Sequence, residues 1–297
     1  MATTADIVRN ESRNAAKRTP EDRIRYTPIA VLLLAISAVG LAQQGPLSPP
    51  MFKENNDLEM MTWVEVKKAM AAGKTTALVF NGGTEQRGPQ AVNGGHTLIV
   101  KQMAQMIAEK LGNAIVAPIL PYSVNDASPD LPGTIGLTGP LFAAVNEQVV
   151  EQMIKSGFKN VVLMGDHGGG QKELAEVAAK LDAKYSGVGI RVVYCGDVYL
   201  RAQQELDAWL KANNIPSGQH ADNKDTSTMI YLGETKGWVR MAEIPLAVGD
   251  PNSKPWNGIA GDARQSTAEL GKRIVDTKVD LAVAQIRKLL GNAAAVR

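Results

Sequence analysis

Two hydrophobic rhythms run along this chain, and they take turns. Short apolar stretches occur at "TTALVFN" (75–81), "AIVAPIL" (114–120), "NVVLMGD" (160–166) and "IRVVYCG" (190–196). Runs of this length, rich in Val, Ile and Leu, read as strands buried on both faces. Between them apolar residues recur every three or four positions. That spacing predicts helices over 97–111, 141–156, 171–185, 198–213, 222–232 and 266–290. An earlier helix, "TWVEVKKAMAAG", opens with Thr62 and Glu65 in capping-box spacing and closes on Gly73. Strands alternating with helices predict an α/β fold with a mainly parallel central sheet. In such sheets ligands bind beyond the carboxyl ends of the strands. Three loops lie there, after Phe80, Leu120 and Met164, and the second (121–140) is rich in proline and glycine.

The N-terminus follows neither rhythm. Residues 1–26 are polar and rich in Arg and Lys; 28–42, "PIAVLLLAISAVGLA", are apolar and uncharged. A basic leader, a short apolar run and small residues at its end read as a secretory signal peptide over 1–42. A polar, proline-rich linker follows over 43–61, and one domain occupies 62–297. This organisation places the mature protein in the periplasm or outside the cell, with no stable membrane association after cleavage. The alternative is an uncleaved anchor, which the run disfavours by falling short of the roughly 20 apolar residues a span needs.

Composition narrows the function classes. Of 297 residues 44% are apolar and 21% charged, and the formal net charge is +2. No basic stripe is interleaved with aromatics, which make up only 5%, so nucleic acid is not an expected partner. Cys195 is the only cysteine, so no internal disulfide can form, and its place in an apolar strand predicts a buried structural thiol.

The candidate chemistry gathers on the strand-end loops. The chain has three histidines, His96, His167 and His220, each in a glycine-rich or polar stretch where a helix starts. "NGGTEQRGPQAVNGGH" (81–96) supplies Glu85, Arg87 and His96; "GDHGGG" supplies His167; "GQHADNKDTS" supplies His220 and Asp225. Two imidazoles and a carboxylate suit zinc first, with iron or manganese as alternatives. Glu85, His96 and His167 provide that set. Gly168 and Gly169 allow close backbone approach and could present N–H groups to a developing oxyanion.

Four stretches in order, "GGTEQRGP", "LPGTIGL", "VLMGDHGGG" and "QHADNKDTS", make the chain resemble the creatininase family of metal-dependent amidohydrolases. The likeness runs from about residue 62 to 232. It implies a single α/β/α layered domain, homo-oligomers (hexamers or dimers), and hydrolysis of cyclic amides, imides or formamide-like C–N bonds of small molecules by a metal-bound hydroxide. The family's ligand positions fall on Glu85, Arg87, His96, His167 and Asp225, and its catalytic histidine on His220. The chain departs from the pattern three times. Arg87 stands where the family has histidine, His96 where it has a bridging aspartate, and Asp225 where it has glutamate. Arginine has no lone pair for a metal, so one ion per subunit is expected.

Within that reading His220 shuttles a proton and Asp225 orients it or adds a ligand. Arg87 either replaces the second cation and grips or polarises the substrate, or pairs with Asp225 or Asp166 to hold the loop. Tyr122, Asp126, Gly168 and Gly169 are further substrate contacts, with Asp130 beside them on the 121–140 loop. Two other readings remain open: a mononuclear non-haem iron enzyme with non-hydrolytic chemistry, and a small-molecule binding protein that has lost catalysis.

Overall fold

The four expected strands pair in one parallel sheet. In the computed structural model, which describes residues 54–233 and 236–291, they are β1 (Thr76–Asn81), β2 (Ala114–Val116), β3 (Asn160–Gly165) and β4 (Arg191–Tyr194), in the order β2-β1-β3-β4. Leu78 sits opposite Val116 on one side and Val162 on the other. The expected signal peptide and residues 43–53 of the expected linker lie outside the described residues.

Successive strand residues face opposite ways, and each face is covered by its own helices. Leu78, Phe80, Val162, Met164 and Val193 join one apolar cluster with α2 (Gly95–Leu111), α6 (Asn223–Gly233) and α7 (Ala268–Leu289). Ala77, Val79, Val161, Leu163 and Val192 join the other with α3 (Gly139–Lys155) and α4 (Gln171–Tyr185). The result is the α/β/α layering expected. Fully burying a side chain such as Phe80 stabilises by about 1.5–3 kcal/mol, so the unbroken apolar runs hold the two outer layers to the sheet. The amphipathic α5 (Leu200–Ala212) packs on α7 through Leu206, Leu210 and Ile274.

The helix punctuation is local chemistry. α1 (Trp63–Ala71) carries the expected capping box, with Glu65 N–H donating to Thr62 Oγ1 and Thr62 N–H to Glu65 Oε2. At the start of α7, Leu270 N–H donates to Thr267 Oγ1. The end of the expected linker belongs to the fold: Val116 N–H donates to the Asn56 carbonyl at 2.7 Å and Asp57 bridges to Val116, closing the edge of the sheet at β2. No described helix is long and apolar enough to cross a membrane.

Residues 236–265, where no periodicity stood out, contain a 3₁₀ helix (Met241–Leu246) and a two-residue antiparallel pair, β5 (Val248–Gly249) with β6 (Gly261–Asp262). This segment also makes a bridge to the site. Ala260 exchanges backbone hydrogen bonds with His220 at 3.0 and 3.3 Å and fixes the chain just before α6.

Candidate metal centre

Beyond the carboxyl ends of β1 and β3 the chain gathers Glu85, His96 and His167. Glu85 lies in the loop after β1, His96 in the first turn of α2 and His167 in the turn after β3. One donor atom from each lies within 4.8 Å of the other two. Glu85 Oε1 is 2.8 Å from His96 Nε2, and Glu85 Oε2 is 3.0 Å from His167 Nε2. A single ion with bonds of about 2.0–2.2 Å fits a set this tight. Two imidazoles and a carboxylate are also the right chemistry for zinc, manganese or iron.

Each donor is itself held. His96 Nδ1 donates to Asp166 Oδ2 at 2.9 Å, while Asp166 Oδ1 accepts from Lys278 Nζ at 2.6 Å. Asn125 donates its side-chain N–H to Glu85 Oε2 at 2.8 Å. With its proton on Nδ1, His167 donates to the Gly169 carbonyl at 3.2 Å, which leaves Nε2 for an ion. Only glycine fits at 169, because a Cβ there would stand 2.1 Å from the Val124 carbonyl oxygen. Burial would raise the Glu85 pKa, but the hydrogen bonds from His167 and His96 and the Arg87 charge hold it well below the carboxylate range. Burial opposes ionisation of Asp166 too, and Lys278 and His96 outweigh it, so this carboxylate stays ionised.

Arg87 lies behind the donors, not among them. It has no exposed surface. Its guanidinium reaches Asp225 Oδ1 at 2.9 Å and Glu85 Oε1 at 3.4 Å. Gly95 makes room for it: a Cβ there would sit 2.6 Å from Arg87 Cδ and Nε. The expectation that Arg87 contacts substrate is therefore corrected, because a fully enclosed guanidinium cannot reach a ligand in the cavity. Its partner is Asp225; Asp166 is taken by His96 and Lys278.

The cavity in front of the donors measures about 160 Å³, and its lining includes Gly168, Tyr199, Gln203, Gln219, His220, Asp225 and Lys278. His220 donates Nε2–H to the Gln86 carbonyl at 2.7 Å, which leaves Nδ1 facing Glu85 Oε1 at 3.5 Å. Asp225 does not orient His220: its Oδ2 accepts from Ala221 N–H at 2.8 Å and its Oδ1 meets Arg87. Tyr122 and Asp126 are absent from the cavity lining, and Asp126 is exposed. Gly169 is absent from it too, so its N–H is not placed for an oxyanion in the cavity. Asp130 lines a separate pocket with Leu131 and Trp256, whose ring lies 6.5 Å from that of His220.

Sequence reasoning left Lys278, Tyr199, Gln203 and Asn125 unnoticed. Burial raises the Tyr199 pKa, so its hydroxyl stays a donor. Lys278 did leave a trace. It falls on the buried stripe of α7 formed by Ile274, Val275, Val279 and Ala282, and a lysine on such a stripe is almost always paired.

Fold and donor set together define a three-layer α/β protein with a candidate metal centre at its strand ends. The family described as creatinine amidohydrolase matches residues 59–286. The chain belongs to the creatininase family. A curated relative, creatinine amidohydrolase of Pseudomonas putida, is 26% identical over 112 residues, which is 36% of this chain and only 43% of the relative's length. Among solved structures, a manganese creatininase superposes with a TM-score of 0.65 at 19% identity, covering 80% of this chain and all of that one. A point-mutant creatininase of zinc–zinc type superposes with a TM-score of 0.60 at 20% identity, covering 80% and 99%. At such identities the superpositions establish the fold.

Proposed function

We propose that this protein is a metal-dependent amidohydrolase that opens a non-peptide C–N bond, of the cyclic amide, imide or formamide kind, in a small polar molecule, using one divalent ion per chain. The observation that carries the reading is the meeting of Glu85, His96 and His167 at the strand ends, with the Arg87 charge packed between Glu85 and Asp225. Family membership supports the reaction class. Zinc and manganese are the favoured ions, since those metals appear in the names of related structures. When bound, the ion supplies Lewis acidity toward water and toward a carbonyl oxygen.

The chain's own residues supply the rest. His220, with Nε2–H committed to the Gln86 carbonyl, offers Nδ1 to take a proton and return it to the leaving nitrogen. Tyr199, kept protonated by burial, lines the same cavity and donates toward a substrate oxygen. Arg87 supports a single ion because it already holds positive charge against Asp225, where the family pattern provides for a second ion. Charge balance agrees. With neutral histidines, three carboxylates (Glu85, Asp166, Asp225) face two fixed cations (Arg87, Lys278), so one divalent ion leaves the site only modestly positive. Export rests on the basic and then apolar N-terminal sequence, and homo-oligomer assembly on the family resemblance.

The test is a panel of a lactam, an imide, a cyclic guanidine and a formamide, assayed with protein stripped by chelator and then reloaded with zinc or manganese. Hydrolysis of at least one compound by the reloaded protein alone is expected. Protein that takes up one ion and hydrolyses none of them would contradict the hydrolase reading and favour a binding role.

A further inference from the structure

We infer that Lys278, Asp166 and His96 form a positioning relay that sets the metal-binding strength of the site from the C-terminal helix. The inference rests on the single-ion reading above and goes beyond it, because Lys278 and Asp166, which control His96, are not ligands.

The geometry is a continuous chain. Lys278 Nζ meets Asp166 Oδ1 at 2.6 Å, Asp166 Oδ2 meets His96 Nδ1 at 2.9 Å, and His96 Nε2 points at Glu85 Oε1, 2.8 Å away. All three side chains are buried. A buried ion pair gives little net stability, since desolvating both charges offsets most of their attraction. Apolar residues at 166 and 278 would serve the core as well, so the pair calls for another explanation.

That explanation is orientation. Lys278 engages one oxygen of Asp166 and so fixes the rotation of the carboxylate. The other oxygen then lies on the line of His96 Nδ1–H. With the proton held at Nδ1, the lone pair of a neutral ring is at Nε2, aimed at Glu85 and His167. Carboxylates that hold the far nitrogen of a metal-binding histidine typically strengthen the site about 10- to 100-fold. His96 is also one of the places where this chain departs from the family pattern. A histidine brought into the ligand set needs its far nitrogen held, and the residue beside His167 holds it. Lys278, 112 positions along from Asp166, ties α7 to that arrangement. Its ammonium also lies 5.8 Å from the Tyr199 ring centre, which fixes it from a second side.

The test measures zinc affinity by chelator competition at one pH, together with circular dichroism, for the full chain and for Lys278→Met, Lys278→Arg, Asp166→Asn and the Lys278→Met/Asp166→Asn pair. Expected are one ion per wild-type chain, about 10- to 100-fold weaker binding in Lys278→Met and in Asp166→Asn, partial recovery in Lys278→Arg, and a double variant no weaker than the worse single one. That last result separates a relay from two independent packing defects, whose effects would multiply. If Lys278→Met does not fold, Asp166→Asn and Lys278→Arg carry the same comparison. A wild-type chain that binds one ion, with Lys278→Met binding within twofold of it, overturns the relay alone. A multiplying double variant also overturns it. A wild-type chain that binds no ion overturns the single-ion reading and the relay with it.

Discussion

Arg87 shows how one residue can redefine a site. It is a permanent cation, fully enclosed, and matched to two carboxylates on different elements. Removing one partner of such a pair leaves charges stranded, at a loss of about 3–5 kcal/mol. Arg87→Gln is expected to lower the melting temperature accordingly in the ion-free protein, and added zinc or manganese to restore part of it; an unchanged melting curve would mean the guanidinium is incidental. His220 makes a sharper functional prediction. His220→Gln places an amide N–H near the position of Nε2, so it can keep the bond to Gln86, but it cannot accept a proton, so kcat should fall about 10²- to 10⁴-fold with the metal content unchanged. A retained kcat would remove His220 from the chemistry. Cys195 is the opposite kind of residue: burial pushes its thiol pKa up to about 12. Ellman's reagent should find no reactive thiol in the folded chain and one after denaturation.

At the scale of elements, the strands and most helices were legible because each satisfies one strong period. The unbroken runs at 76–81 and 160–165 could only be buried strands, and the capping pair Thr62–Glu65 marked its helix to the residue. Glu85, His96 and His167 were legible for a related reason: each lies in a polar, glycine-rich break just past an apolar run. Lys278 and Tyr199 were not, because their role exists only once α5 and α7 pack together. Arg87 was visible, but not its depth, which Gly95 decides by leaving space under the first turn of α2. Gly95→Ala should therefore destabilise by about 1–3 kcal/mol through overpacking, despite alanine's better helix propensity, and should weaken metal binding. Equal or higher stability would show that the guanidinium can shift at no loss.

At the scale of the molecule, the parallel sheet sets one end apart for chemistry, and that end draws on residues from 85 to 278. A bound ion therefore joins β1, α2, β3 and, through Asp166, α7. Ligand binding to the folded state alone stabilises by about 4 kcal/mol at a thousandfold excess over Kd. Chelation should accordingly lower the melting temperature of the whole domain in one cooperative step. The measurement that tests the central claim most directly is metal content per chain in the protein as isolated, repeated on His96→Ala and His167→Ala. One zinc or manganese per chain, lost in both variants, is the expected result. Two ions per chain would contradict the account, because Arg87 would then not have displaced the second.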